Sequence, residues 1–276
     1  MDVITCHLNA DFDALASMMA AKKLYPDAHL VFPGAQEKSL REFFLRSTLY
    51  ALKFDRIKNI DLDKVTRLIL VDTKSRERIG KFAGIVDRPG LKIHVYDHHP
   101  STDEDIRGEF EHVEKLGACT TIFAEILRKK KMPLTQLEAT IMALGIYEET
   151  GSLVFASTTP RDITAAAWLL SQGANLNIVA DFITRELDAE QVNLLNDLLK
   201  SMKSYYLDGV KVVIASASSG RYIQDIAVLA HKIRDMENLD ALFCVVRMED
   251  RIHIVARSRV DEVDAGAIAY EFGGGG

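Results

Sequence analysis

The stretch Val3-Ile4-Thr5-Cys6-His7-Leu8-Asn9-Ala10-Asp11-Phe12-Asp13-Ala14 decides how this chain is read. Residues 3–7 form a mostly apolar run of strand length, and from Ala14 to Leu24 apolar residues recur at helical spacing until Tyr25-Pro26 ends them. One histidine and two aspartates therefore sit in a turn between a buried strand and a helix. A single aspartate there serves as a helix cap, because its carboxylate accepts from free backbone N–H groups. Three ligand-type side chains within seven residues exceed what capping needs, and the small Ala10 and Ala14 leave room for a ligand.

The same alternation continues outward. The pattern predicts a strand at 29–33, a helix near 37–52, a strand at 67–72, a helix near 76–85 and a strand at 92–96. Strands alternating with helices give an α/β fold, a parallel sheet with helices on both faces. From Cys119 to Leu207 the pattern is helical, with segments at 118–130, 135–148, 160–172, 176–185 and 189–206. After Asp208-Gly209, strands at 210–216, 241–248 and 251–257 and a helix near 224–235 predict a smaller α/β C-terminal domain, with the boundary near Gly209 and the preceding helix as connector. A length of 276 residues with 48% hydrophobic composition suits two domains. The run Gly273 to Gly276 reads as a chain cut inside a loop, or as a tail left by cloning.

Three predicted strands end in ligand-type residues: His7, Asp72 after Leu68-Ile69-Leu70-Val71, and Asp97-His98-His99. In an open parallel sheet, ligands gather outside the carboxyl ends of the strands, so residues distant in sequence converge there. An acid after a strand is also an ordinary turn residue. Two adjacent imidazoles are rarer; in extended chain they point apart, so one can bind metal while its neighbour faces substrate. Carboxylates and imidazoles without thiolate suit Mn²⁺ first, Mg²⁺ next, better than a structural zinc site. Two such cations favour hydrolysis of phosphoesters or phosphoanhydrides.

A net charge of -6 supplies no global field for a long nucleic acid. Arg128-Lys129-Lys130-Lys131 reads as a solvated helix end, and Trp168, among Ala165, Ala166, Ala167, Leu169 and Leu170, as core. Short substrates are therefore expected, because extended strands call for a basic groove with aromatic partners. Cys6, Cys119 and Cys244 lack CxxC spacing and fit a reducing cytoplasm, with no membrane-spanning or targeting segment expected.

His7 to Ala14, Val71-Asp72-Thr73 and Asp97-His98-His99 resemble the successive motifs of the DHH phosphoesterase family. That family includes oligoribonucleases that also dephosphorylate adenosine 3',5'-bisphosphate, single-strand exonucleases, cyclic-dinucleotide phosphodiesterases and inorganic pyrophosphatases. The resemblance implies one metal on His7, Asp11 and Asp72 and a second on Asp13, Asp72, His98 and Glu149, with Asp72 bridging. It further implies that Asp97 orients a neighbouring histidine, that His99 contacts phosphate and that Asn9 supports the loop. Glu149, in Gly145-Ile146-Tyr147-Glu148-Glu149-Thr150-Gly151, departs from the family's usual Asp and is one methylene longer.

The C-terminal residues resemble the DHHA1-type substrate-binding domain that follows many DHH domains, through Arg257-Ser258-Arg259 and the loop Gly273, Gly274, Gly275. Strand alternation is expected to put His253, Arg257 and Arg259 on a polar face and to pack Ile252, Ile254 and Ala256 on the other. The family loop continues into a histidine that this chain lacks. The resulting division is a DHH domain over 1–188, a helical connector over 189–208 and a DHHA1-like domain over 209–276. The first motif and Phe32-Pro33-Gly34-Ala35-Gln36-Glu37 most resemble DHH modules that precede CBS domains and a poly(A) polymerase or tRNA-nucleotidyltransferase-like domain. The expected activity is hydrolysis of short RNA or small phosphorylated nucleotides, in a monomer or homodimer. The alternatives are a non-catalytic RNA- or nucleotide-binding regulatory module and an inorganic pyrophosphatase.

Overall fold

The computed structural model describes residues 1–46, 53–183, 187–224, 226–237 and 239–274. The chain divides into two compact units, Met1–Thr184 and Arg185–Gly276.

The first unit is built on a parallel sheet of β1 (Asp2–Thr5), β2 (His29–Val31), β3 (Phe54–Asp55), β4 (Arg67–Val71), β5 (Lys92–Asp97) and β6 (Phe110–Val113), in the order β3-β2-β1-β4-β5-β6. Alternation along the central strands fills two cores. Ile4, Ile69 and Val71 enter the larger one, while Val3, Leu68, Leu70 and Val95 enter the smaller one. Both faces are covered, so the strands read as continuous apolar runs.

The larger core is closed by α1 (Phe12–Leu24), α2 (Lys38–Arg46), α3 (Cys119–Lys129), α4 (Gln136–Glu149), α5 (Pro160–Ser171) and α6 (Leu176–Ile183). Every residue of α1 from Phe12 to Ala21 is buried, and its small side chains let α4 approach closely. Gly145 on α4 is required there, since a Cβ would lie 2.7 Å from Thr120 Oγ1 and 3.0 Å from Ala16 Cβ. The predicted helix at 37–52 is seen as α2, with residues 47–52 outside the described residues, as are 184 and 185 of the segment 176–185. The expected helix at 76–85 is instead a 3-10 stretch, Arg76–Gly84, interrupted at Gly80, whose φ of 54° breaks the helical path.

The second unit holds β7 (Lys203–Leu207), β8 (Val210–Ser219), β9 (Ala241–Met248) and β10 (Arg251–Ser258), ordered β10-β9-β8-β7, with β8 and β9 parallel and the outer pairs antiparallel. Helices α7 (Ala189–Ser201), α8 (Ile226–Glu237) and α9 (Ala265–Glu271) complete it. The residues expected as a helical connector, 189–208, divide into α7 and β7. Leu194 and Leu198 of α7 pack with Val213, Leu229, Ile233 and Cys244 in this unit's own core, so α7 is one of its structural layers.

The expected face assignment on β10 is reversed. Val255 alternates in step with His253 and Arg257, pairs with the core residue Cys244 and packs on the core, whereas Ile252 is 66% exposed. Among the described residues no helix is long and apolar enough to cross a membrane.

Candidate metal centre

The central strands β1, β4 and β5 are neighbours in the sheet, and their carboxyl ends carry His7, Asp72 and Asp97-His98-His99 on adjoining loops. Asn9 and Asp72 both have φ of 57°, a left-handed conformation that Asn and Asp tolerate better than most residues. Asp72 N–H donates to Tyr96 O at 2.9 Å, which holds the turn against β5.

Asp72 is the centre of the cluster. One of its oxygens, Oδ2, lies 3.2 Å from His7 Nε2, and the other, Oδ1, lies 3.4 Å from His98 Nε2. His7 Nε2 is also 3.5 Å from Asp11 Oδ2, while His98 Nε2 is 3.8 Å from Asp13 Oδ2 and 3.9 Å from Glu149 Oε1. His7, Asp13, Asp72 and Asp97 are buried. Asp11 keeps its capping role, accepting from Ala14 N at 2.9 Å through the oxygen turned away from His7.

The backbone fixes both imidazoles. His7 Nδ1 lies 2.8 Å from Leu8 O and His98 Nδ1 lies 3.0 Å from Leu116 O. A carbonyl only accepts, so each Nδ1 carries the proton and each neutral ring turns the Nε2 lone pair toward Asp72. Two lone pairs facing each other across 3.4 Å require a cation between them, either a proton or a metal ion. Asp72 Oδ1 and His98 Nε2 are indeed buried without a hydrogen-bond partner.

Protons meet that requirement in the metal-free cluster. Burial opposes charge on His7, but hydrogen bonds to Asp11 and Asp72 outweigh it and push its pKa up to about 10. Burial likewise opposes charge on His98, and Asp72 and Asp13 push it up to about 10. For Asp72, burial favours the neutral acid, but His7 and His98 overcome it and hold the carboxyl below its usual range. Burial and the charges of Asp72 and Asp11 raise Glu149 to about 7.

Among the described residues, two groups have ligand atoms mutually within 4.8 Å: His7, Asp11 and Asp72, and Asp72, His98 and His99. They share Asp72, and their oxygen and nitrogen donors suit divalent cations such as Mn²⁺, Mg²⁺ or Zn²⁺. Glu149, in the last turn of α4, adjoins His98. Asp97 accepts from His98 N at 3.0 Å and from His99 Nδ1 at 2.7 Å, while Lys74 Nζ donates to its other oxygen at 2.7 Å.

Several residues with roles here were not singled out in the sequence. Lys74 is buried beside Asp97, Glu148 Oε2 accepts from Phe12 N at 2.8 Å at the start of α1, and Asp162 braces the turn that supplies the Leu116 carbonyl. A lysine two residues past Asp72 could have been noticed; the carbonyl of Leu116 has no signature in sequence.

The remaining candidates lie in the second unit. Arg257 and Ser258 end β10, where Arg257 Nη1 donates to Ala256 O at 2.9 Å and Ser258 Oγ to Val260 O at 2.8 Å. Arg259 N donates to Asp240 O at 2.8 Å. Gly273, with φ of 77°, and Gly274 turn the chain after α9, whereas Gly275 lies outside the described residues. A cavity of about 510 Å³, lined by Leu207, Val212, Phe243, Val263 and Ile268 among others, includes none of these candidates.

The crystal structure of an exopolyphosphatase-related protein from Bacteroides fragilis shares the fold, with a TM-score of 0.71 at 16% identity over 99% of this chain and 84% of that one. An A-adding tRNA nucleotidyltransferase of Geobacter sulfurreducens is 56% identical over all of this chain and 31% of its own length. The bifunctional oligoribonuclease and PAP phosphatase NrnA of Mycoplasma genitalium is 24% identical over 99% of this chain and 85% of its own length. The chain spans about a third of the length of the tRNA nucleotidyltransferases it matches. Residues 3–146, more than half of the chain, match the DHH family, N-terminal domain, and the chain therefore belongs to the DHH family.

Proposed function

We propose that this chain hydrolyses phosphate esters of short oligonucleotides or small nucleotides with two divalent cations, Mn²⁺ in preference to Mg²⁺. The observation that carries this reading is Asp72, a buried carboxylate with one oxygen toward His7 Nε2 and the other toward His98 Nε2. His7, Asp11 and Asp72 hold one cation. Asp13, Asp72, His98 and Glu149 hold the other. When bound, the pair supplies Lewis-acid polarisation of the phosphoryl group and lowers the pKa of an attacking water. Asp97 fixes the Nδ1–H of His99, whose Nε2 then meets a phosphate oxygen. Residues 209–276 contribute Arg257, Ser258, Arg259 and the loop at Gly273, Gly274 and Gly275 to a terminal phosphate.

The test is product release from a short RNA, adenosine 3',5'-bisphosphate and pyrophosphate with Mn²⁺, beside Asp72→Ala. Cleavage that disappears in the variant supports the reading and ranks the substrates. A second reading draws on Glu149, longer than the family's usual Asp, and on the nucleotidyltransferase relative: a nucleotide-binding module that regulates an attached polymerase. Mn²⁺ binding without any cleavage would favour it.

A further inference from the structure

Lys74 lies two residues beyond the bridging position, and its side chain is only 4% exposed. Its ammonium donates to Asp97 Oδ2 at 2.7 Å and to the carbonyl of His99 at 2.7 Å, with Asp105 Oδ2 3.9 Å away. Its own carbonyl accepts from Ile106 N at 2.8 Å. Residue 74 thus ties the end of β4 to the segment 97–106 through both side chain and backbone. A buried ammonium is costly unless paired and hydrogen-bonded, so its retention calls for a specific task.

Asp97 shows what that task is. Its Oδ1 accepts from His98 N, His99 N and His99 Nδ1, at 3.0, 3.4 and 2.7 Å. Its Oδ2 accepts from Lys74 Nζ, at 2.7 Å. Lys74 therefore stops the carboxylate from rotating, and through the His99 carbonyl it also grips the backbone that carries the ring.

We propose that Lys74 is a positioning residue that, by clamping Asp97 and the His99 carbonyl together, fixes the imidazole of His99 with its proton on Nδ1 and its Nε2 available to substrate. The inference rests on the reading that His99 meets the phosphate of a substrate. It concerns how that ring is held, and it can be tested without turnover.

Long-range ¹H–¹⁵N spectra of the full 276-residue chain, metal-free and with Mg²⁺, report the tautomer of neutral His99. Wild type is expected to carry the proton on Nδ1, whereas Lys74→Met should show a mixture of tautomers. In the variant kcat should fall about 10–100-fold, with KM and Mn²⁺ affinity within about threefold of wild type. Lys74→Gln, which keeps one donor, should fall between. A wild-type His99 protonated on Nε2 would overturn the proposal, and so would an unchanged tautomer and kcat in Lys74→Met. If Lys74→Met does not fold, the wild-type spectrum still decides. If no form cleaves any substrate while the His99 tautomer depends on Lys74, the phosphoesterase reading fails and the positioning role stands.

Discussion

The carboxylate of Asp13 caps α3 from across the core: Cys119 N–H donates to its Oδ2 at 2.7 Å, and the next amide, Thr120 N–H, donates to its Oδ1 at 2.8 Å. The N-cap position of α3 is Ala118, which has no side-chain oxygen, so a residue more than a hundred positions away fills that role. One side chain thus anchors a helix and faces His98.

Asp13→Ala leaves two buried N–H groups at the head of α3 without their acceptor. Loss of a cap costs about 1–2 kcal/mol, and burial of the orphaned groups adds to it. Burial and the charge of Asp72 raise the pKa of Asp13, so relief of that repulsion offsets part of the loss. The net expectation is a destabilisation of about 1–2 kcal/mol in urea titrations with EDTA. A change below about 0.5 kcal/mol would mean that the cap contributes little.

The metal-free cluster sets the sign of the pH dependence. His7 and His98 are raised to about 10 and Glu149 to about 7, so over this range the folded chain binds more protons than the unfolded one. These groups favour folding at low pH, and their contribution is lost as pH rises, from about 4.5 to 7 for Glu149 and from about 6.5 to 10 for the histidines. Asp72 and Asp97 are held low, so their contribution is present above the ordinary aspartate value of 3.8 and is lost in more acid solution. With EDTA, Tm should peak between about pH 4 and 5 and decline toward alkaline pH. Metal must displace the protons, so the gain in Tm from Mn²⁺ should grow with pH, and calorimetry in buffers of differing ionisation heat should show proton release. A flat EDTA profile from pH 5 to 9 would contradict this.

Glu149 approaches His98 from the end of α4, with Oε1 3.9 Å from Nε2. If it holds the second cation, Glu149→Ala should weaken one Mn²⁺ site by roughly tenfold or more and leave the site at His7 and Asp11 within about twofold. Glu149→Asp shortens the reach by one methylene and tests whether the glutamate is tuned to its longer arm. Calorimetric titration resolving two sites in wild type and one in Glu149→Ala is the expected result; two unchanged sites would remove Glu149 from the ligand set.

The elements legible in the sequence are those whose burial is uniform or periodic. Val3-Ile4 and Leu68 to Val71 read as strands because both faces of the sheet are covered, and His7, Asp72 and His98 could be gathered because parallel strands end on one rim. The two-residue β3 and the edge strand β6, whose outer positions Phe110 and Glu111 are exposed, carry too little pattern to declare themselves. Every residue of β7 is exposed, so no alternation marked it, and the helical period before it was carried on through 203–206. On β10 the polar ends of His253 and Arg257 masked Val255, which shares their face and packs into the core. The partners that hold the site, such as Leu116 O and Lys74, act through contacts between segments distant in the chain.

Asp162, in the first turn of α5, supports the site from behind. Its Oδ2 accepts from Gly117 N at 2.9 Å and from Thr159 N and Oγ1, both at 2.7 Å, and its Oδ1 accepts from Thr121 Oγ1 at 2.6 Å. It is fully buried, and those donors hold its carboxyl below the usual range despite burial. Gly117 follows Leu116, whose carbonyl fixes the proton of His98, so the network reaches His98 through one peptide. Asp162→Ala strands four donors and should cost about 3–5 kcal/mol. Gly117→Ala tests the same turn by steric means, since its Cβ would stand 2.7 Å from Asp162 Oδ2 and 2.8 Å from Thr150 Cγ2. Both variants should lower Tm and weaken Mn²⁺ binding together, while Asp27→Ala, in the exposed turn before β2, should change neither. Loss of stability with unaltered metal affinity would confine Asp162 to the scaffold and disconnect it from His98.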